Sequence, residues 1–154
     1  MRRLVLSALA GVAAFAALAD EHEGKHSRAP LPSQYVQECG SCHVPYAPRL
    51  LPAASWRAIM AGLDRHFGTD ASLDAPTANA IGAWLEANAG SGKRAASIPP
   101  ENRITRSAWF LHEHDEIAPS TWRLPSVKKP SNCGACHAGA AQGAFDEHDV
   151  RIPR

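Results

Sequence analysis

The sequence predicts a mainly α-helical protein made of two small units, and three features of the chain lead to this prediction. Apolar residues recur at spacings of three and four within residues 33–90, the period of a helix that buries one face. Residues 91–102 are rich in Gly, Ser and Pro, as linkers are. Residues 103–154 contain one helical pattern, followed by segments interrupted by proline. We therefore expect a helical unit, a linker and a second unit with a single helix.

The first 19 residues are typical of a secretory signal peptide. Arg2 and Arg3 supply positive charge, residues 4–18 are almost wholly apolar, and Ala17-Leu18-Ala19 has the pattern of a cleavage site. The apolar run is short and rich in alanine, so an uncleaved membrane anchor is the less favoured alternative. We expect an exported protein, periplasmic in a cell with two membranes, that has no stable membrane insertion after cleavage.

The charge balance gives no indication of nucleic-acid binding. The chain has 16 basic and 15 acidic residues. Signal cleavage would remove Arg2 and Arg3, which leaves 14 basic residues against the same 15 acidic ones. Residues 20–32, which would then begin the chain, are polar and are expected to form a flexible leader. Without a basic field, the chain is not expected to have a nucleic-acid partner.

Three helices are predicted within residues 33–90. Each begins near a residue suited to cap a helix N-terminus, in order Ser33, Ser55 and Asp74. The second and third helices are expected to end at Gly68 and Gly90. The predicted apolar faces are Tyr35, Val36 and Cys39 in the first helix, Trp56, Ile59, Met60, Leu63 and Phe67 in the second, and Ile81, Trp84 and Leu85 in the third.

Every cysteine of the chain belongs to one of two C-x-x-C-H motifs, Cys39-Gly40-Ser41-Cys42-His43 and Cys133-Gly134-Ala135-Cys136-His137. This motif is the attachment signature of c-type haem. Two thiols three positions apart on a helical turn can reach both vinyl groups of one porphyrin, and the adjacent histidine then lies beneath the iron. We therefore predict two covalent haem c groups, bound through Cys39, Cys42, Cys133 and Cys136, with His43 and His137 as proximal iron ligands.

Three other uses of these cysteines fit the pattern less well. A thioredoxin-like C-x-x-C needs a preceding strand in a βαβ unit, and the sequence indicates none. A zinc site made of four cysteines would join pairs that lie roughly 90 residues apart. That zinc site and a pair of disulfides would both leave the histidine after each cysteine pair unexplained.

The second unit, residues 103–154, has one predicted helix, over residues 107–117. A unit of about fifty residues is short for a self-sufficient hydrophobic core. Its interior should therefore be filled by something other than its own side chains, and a haem would serve.

Each iron also needs a sixth ligand or an open position, and haem c iron usually takes Met or His. For the first haem the candidates are His66 and Met60, both on the predicted second helix. His66 lies three residues after Leu63 and seven after Ile59, which places it on the apolar face. Met60 is equally suited to filling the core. We predict His66 as the ligand, with Met60 as the alternative.

For the second haem the candidate sixth ligands are His112, His114 and His148. On a helix over residues 107–117, His114 shares a face with Phe110 and Ile117, whereas His112 lies on a more polar face. His148 is flanked by acidic residues, where solvent exposure is expected. We predict His114 as the ligand, with His112 as the alternative.

Together these residues resemble the dihaem cytochrome c family of bacterial exported proteins. The matching segments span nearly all of the chain after the predicted signal peptide: Cys39 to His43, Leu50 to Trp56, Met60 to Gly68, Arg103 to Thr105, Trp109-Phe110, and Asn132 to His137 followed by Gly143.

The resemblance implies an N-terminal unit like a small class I cytochrome c and a C-terminal unit with little regular structure that wraps the second haem. It also implies two histidine ligands at each iron. In the family the second distal ligand lies five residues after the Trp of Trp-Phe, which is His114 here; the nearby His112 departs from the family pattern. Family members look like soluble electron carriers, and some serve an oxygen-binding c-type cytochrome or a membrane b-type cytochrome.

The function favoured by the sequence is electron transfer between redox partner proteins, through two low-spin haems and without catalysis. No nucleophile paired with a base and no proton-transfer dyad is evident. The alternative is a small haem enzyme or gas-binding protein, such as a peroxidase or reductase, which would need an open iron position.

Overall fold

The computed structural model describes residues 30–154, except for the side chain of Arg94, and this part of the chain is mainly helical. Its α-helices are α1 (Ser33–Gly40), α2 (Ala53–Met60), α3 (Ala75–Ala87) and α4 (Ala108–Glu113). The described residues form no β-strand, only two isolated bridges, so the predicted fold class is confirmed. No helix among them is long and apolar enough to cross a membrane. The predicted signal peptide, residues 1–19, lies outside the described residues, as does nearly all of the predicted leader.

Helices α1, α2 and α3 pack around one apolar cluster, whose buried members are Tyr35, Leu51, Trp56, Ile81 and Leu85. Two hydrogen bonds tie the loop after the first C-x-x-C-H motif to this cluster. The Tyr35 hydroxyl donates to the Tyr46 carbonyl at 2.8 Å, and Trp56 Nε1 donates to the Pro48 carbonyl at 2.7 Å. The helical core therefore fixes the path of the chain that leaves His43.

The starts of two helices differ from the prediction. Asp74 does cap α3, where its carboxylate accepts a hydrogen bond from the backbone N–H three residues later, at 3.0 Å. Helices α1 and α2 instead begin after Pro32 and Pro52, and neither has a side-chain cap. Ser33 and Ser55, which were predicted to cap them, lie inside the first turns. Pro32 and Pro52 are the N-cap residues themselves, with extended ψ values of 140° and 156°, and have no side-chain oxygen to accept a hydrogen bond.

Helix α2 is shorter than the sequence predicts. It ends at Met60, and after Ala61-Gly62 the chain continues as a 3₁₀ turn at Leu63–Arg65. The prediction of a helix that reaches Gly68 was therefore wrong. Glycine is a poor residue for a helix interior because it loses the most backbone freedom on folding, and Gly62 stands where the α-helix gives way.

Helix α4 is also shorter than predicted, since it ends at Glu113 rather than near Ile117. Ser107 caps it by accepting a hydrogen bond from the N–H of Phe110 at 3.3 Å. His114 is consequently the first residue beyond the helix and not a member of its apolar face.

Gly90 lies where the chain after α3 crosses the loop before α2. Because α3 already ends at Ala87, Gly90 does not end the helix as predicted. Its N–H donates to the Leu51 carbonyl at 2.8 Å, and a Cβ at this position would overlap the carbonyl oxygen of Arg49. Two backbone segments therefore approach each other as closely as glycine allows.

We expect Gly90→Ala to lower the free energy of unfolding by roughly 1–3 kcal/mol, because the new methyl group must push two backbone segments apart. The matched control is Gly82→Ala in α3, where the new Cβ would meet only the Met60 side chain, at 3.7 Å. Alanine is favoured in a helix, so this control should be neutral or stabilising. Denaturant unfolding measures both changes, and an unaltered Gly90→Ala protein would contradict the described packing.

Residues 103–154 bury few side chains of their own. Their buried apolar residues are Phe110, Val127 and Ala140, and apart from α4 this part contains only short 3₁₀ turns. The C-terminal tail closes over the second C-x-x-C-H motif, where the Arg151 N–H donates to the Cys136 carbonyl at 2.9 Å. The division of the chain at residues 91–102 stays a prediction.

Candidate haem sites

His43 and His66 lie close together at the first site. Their ring centroids are 6.2 Å apart and their ring planes differ by 23°. His43 Nδ1 lies 2.8 Å from the Val44 carbonyl oxygen. Because a carbonyl oxygen only accepts hydrogen bonds, Nδ1 must carry the proton, which leaves Nε2 free to bind a metal.

A tight turn holds His66 in place after the 3₁₀ turn at Leu63–Arg65. Phe67 and Gly68 both have positive φ, 50° and 98°, and the Thr69 N–H donates to the His66 carbonyl at 3.1 Å. The guanidinium of Arg103 covers the Phe67 ring at 4.3 Å from its centroid. The turn and the contact of Arg103 with Phe67 therefore fix the backbone position of His66.

His114 and His137 form the corresponding pair at the second site. Their centroids are also 6.2 Å apart, but their planes differ by 70°. His114 Nδ1 lies 2.9 Å from the Phe110 carbonyl, so this ring too keeps Nε2 free. Aromatic side chains surround the pair: Phe110 stacks on His114 at 4.1 Å, Trp122 lies 5.9 Å from His114, and Phe145 lies 5.4 Å from His137.

The separation of the rings fits one metal ion between each pair. A metal–nitrogen bond to imidazole is about 2.0 Å, and in a five-membered ring with bonds of about 1.33 Å each nitrogen is about 1.1 Å from the centroid. Two imidazoles on opposite sides of one metal therefore have centroids about 6.2 Å apart. Both observed separations equal this value.

The protonation of the histidines also suits metal binding. Burial lowers the pKa of His66, and the neighbouring His43 and Arg103 lower it further. Burial, followed by the effect of His114, lowers the pKa of His137. A lowered pKa favours the neutral imidazole, which is the form that binds metals.

The first cysteine of each motif is not tuned as a redox nucleophile. Cys39 lies in α1, and Cys133 lies in the 3₁₀ turn Cys133–Ala135. Burial, with a smaller contribution from Glu38, raises the pKa of Cys39 to about 11, and burial also raises the pKa of Cys133. Reactive thiols of the thioredoxin kind have lowered pKa values. The raised values therefore disfavour that use of the motifs.

The alternative ligands lie in other surroundings. Met60 packs against Gly82 of α3, as part of the helical core. The His112 side chain is 82% exposed and lies 3.9 Å from the Asp115 carboxylate. His148 is exposed as well. The structure thus pairs His66 and His114 with the histidines of the two motifs.

Tyr46 connects the two sites, and the sequence reasoning missed it. Its ring stacks on His43 with centroids 4.6 Å apart, and its hydroxyl donates to the Ser131 carbonyl at 2.8 Å. Ser131 lies two residues before Cys133, at the start of the second motif. Burial, and next the nearby Cys133, raise the pKa of Tyr46 to about 12. Its place three residues after the first motif is the one sequence signal that pointed to it.

Two C-x-x-C-H motifs, each with its histidine next to a second imidazole in a helical chain, define a c-type cytochrome with two haem groups. The sequence profile of the dihaem cytochrome c family matches residues 35–145. The chain belongs to this family and carries two haem c groups.

Solved structures of diheme cytochromes c are similar to this chain over most of its length. The diheme cytochrome type c from Shewanella baltica OS155 is 40% identical, with 80% of this chain and 95% of that chain covered and a TM-score of 0.70. A diheme cytochrome c from Rhodobacter sphaeroides is 38% identical, with 76% and 100% covered and a TM-score of 0.66. A comparison with curated proteins found no match.

Proposed function

We propose that this protein is a periplasmic electron carrier, in which two low-spin haems with two histidine ligands each pass electrons between redox partner proteins. Family membership gives the coarser statement, that of an electron-transfer protein with two haem c groups. The observation that carries the finer proposal is the 6.2 Å separation found in both imidazole pairs.

Each haem is assigned to one motif and one further histidine. Cys39 and Cys42 would bind the first haem, with His43 and His66 on its iron. Cys133 and Cys136 would bind the second, with His137 and His114 on its iron. In this arrangement a histidine occupies the sixth position of each iron, which leaves no open position for a substrate and favours a carrier over a peroxidase or reductase.

When bound, each haem supplies an iron that alternates between the ferric and ferrous states. The protein's own part is to orient the ligands and set their basicity. The hydrogen bonds from His43 to the Val44 carbonyl and from His114 to the Phe110 carbonyl fix two of the rings. They also make those imidazoles more basic, which stabilises the ferric state and lowers the reduction potential.

The contact through Tyr46 supports transfer between the sites inside one molecule. Its ring touches the imidazole of His43, and its hydroxyl binds the backbone just before Cys133. Electrons could then enter at one haem and leave at the other. An oxygen-binding c-type cytochrome or a membrane b-type cytochrome would be a suitable partner, as the family resemblance implies, and export would follow from the predicted signal peptide.

Low-temperature EPR of the oxidised protein tests this proposal, and we expect two low-spin ferric signals that differ in anisotropy. Nearly parallel imidazole planes, as at the first site, split the iron dxz and dyz orbitals, which overlap with the imidazole π systems, and give a rhombic signal. Planes 70° apart leave those orbitals almost degenerate, which gives a higher maximum g value at the second site. A major high-spin signal that disappears on adding cyanide would instead favour the enzyme or gas-binding alternative.

A further inference from the structure

We propose that Arg49 is a positioning residue for the second haem site, and that its fixed positive charge raises the reduction potential there. Arg49 lies on the 3₁₀ turn Pro48–Leu50, close in sequence to the first motif and far from the second. The inference rests on the proposed assignment of His137 as an iron ligand.

The Arg49 side chain reaches the segment that lies against His137. Its Nη2 donates to the Gly143 carbonyl oxygen at 2.7 Å, in a partly buried contact. Its guanidinium carbon lies 5.9 Å from the centroid of the Phe145 ring. One side chain therefore holds both ends of the short segment from Gly143 to Phe145.

This segment has little freedom to move away from Arg49. Gly143 has a φ of 69°, and a Cβ there would come within 3.4 Å of the Cβ of Ala47, which is buried. The Ala144 N–H donates to the Gly139 carbonyl at 2.9 Å, which closes the loop behind it. The position of Phe145 is thus set by the neighbours of Gly143, of which Arg49 carries a charge.

Phe145 in turn sets the orientation of the His137 ring. The edge of Phe145 meets that ring with centroids 5.4 Å apart and planes at 71°. His43 and His114 are oriented by hydrogen bonds from Nδ1, but Nδ1 of His137 is buried and has no hydrogen-bond partner among the described residues. Packing against Phe145 must therefore orient the His137 ring, whereas hydrogen bonds orient the rings of His43 and His114.

The charge of Arg49 acts on the same site. Arginine stays protonated at every accessible pH. The separations of 5.9 Å and 5.4 Å place the guanidinium no more than about 11.3 Å from the His137 ring. At an effective dielectric constant near 20, a unit charge at roughly this distance changes a one-electron equilibrium by a factor of about ten. A positive charge favours the ferrous state, so it raises the potential.

The test is a spectroelectrochemical titration of the holoprotein with Arg49→Gln, Arg49→Lys and Arg57→Gln. Glutamine removes the charge and keeps a donor for the Gly143 carbonyl. We expect Arg49→Gln to lower one of the two midpoint potentials by about 59 mV, which corresponds to an about tenfold change in the ratio of oxidised to reduced haem. Lysine keeps the charge and should restore at least half of the shift.

Arg57 is the matched control, since it is exposed on α2 and paired with Glu86 at 2.6 Å. Its substitution should move neither midpoint. EPR identifies the affected haem, because the signal with the higher maximum g value should change in Arg49→Gln and the other should not. The inference is overturned if Arg49→Gln behaves like Arg57→Gln, or if Arg49→Lys shifts the potential as much as Arg49→Gln.

Failure of this inference is separable from failure of the proposed function. The EPR spectra of the unmodified protein and of its His66→Ala and His114→Ala variants decide whether each iron has two histidine ligands. The difference in midpoint potential between Arg49→Gln and Arg49→Lys reports the effect of the charge whichever result those spectra give.

Discussion

A Cys133→Ala/Cys136→Ala variant should lose half of its haem and unfold over residues 103–154. This part of the chain buries few apolar side chains of its own, namely Phe110, Val127 and Ala140. Trp122 and Phe145, which lie beside His114 and His137, are only partly buried by the protein itself. So small a core cannot offset the conformational entropy of fifty or so residues.

The haem-to-protein ratio and limited proteolysis with mass spectrometry measure this outcome. New cleavage sites should concentrate in residues 103–154, while the ratio falls to half. The matched control, Cys39→Ala/Cys42→Ala, should also lose half of the haem but keep more helix by circular dichroism, because α1, α2 and α3 share an apolar cluster. Protease resistance of residues 103–154 without their haem would refute the view that the cofactor is their core.

Substitution of either distal histidine should convert one low-spin haem to a high-spin one. In His66→Ala or His114→Ala no imidazole would occupy the sixth position of the affected iron, so CO and cyanide should bind there. The high-spin fraction should be about half of the ferric iron, since the other site keeps both ligands.

His112→Ala is the control for this experiment, because His112 is a close neighbour of His114 with an 82% exposed side chain. It should leave the EPR and optical spectra unchanged. The assignments would be wrong if His66→Ala and His114→Ala both kept fully low-spin spectra, or if His112→Ala alone produced the high-spin signal. Met60→Leu distinguishes the remaining alternative at the first site and should have no spectral effect.

The sequence predicted that His66 and His114 pair with the motif histidines, but the helix on which it placed His66 was wrong. His66 was placed on a long second helix, yet that helix ends at Met60 and His66 follows a 3₁₀ turn. Residues three apart also share a face in a 3₁₀ turn. The prediction that His66 lies on the same side as Leu63 therefore holds although the helix type differs. Local periodicity can therefore indicate which face a side chain takes even where the element itself is wrongly predicted.

Contacts between distant parts of the chain could not be predicted in this way. Tyr46 binds a carbonyl 85 residues away, and Arg49 binds one 94 residues away. Neither residue belongs to a motif, and an arginine or tyrosine in a loop is usually a surface residue when nothing else is known. Only the fold, which lays the first motif against the second, gives these two side chains their partners.

The closure of the C-terminal tail over the second motif has a consequence for biogenesis. The Arg151 N–H binds the Cys136 carbonyl, and His137 forms a bridge with Val150, so residues 150–151 lie against the backbone of the motif whose thiols receive the haem. The maturation machinery must reach these thiols while the tail is still open. We therefore expect ligation at the second motif to precede the closure of residues 150–151 over it, and an affinity tag fused after Arg154 to slow maturation more than one placed at the opposite end.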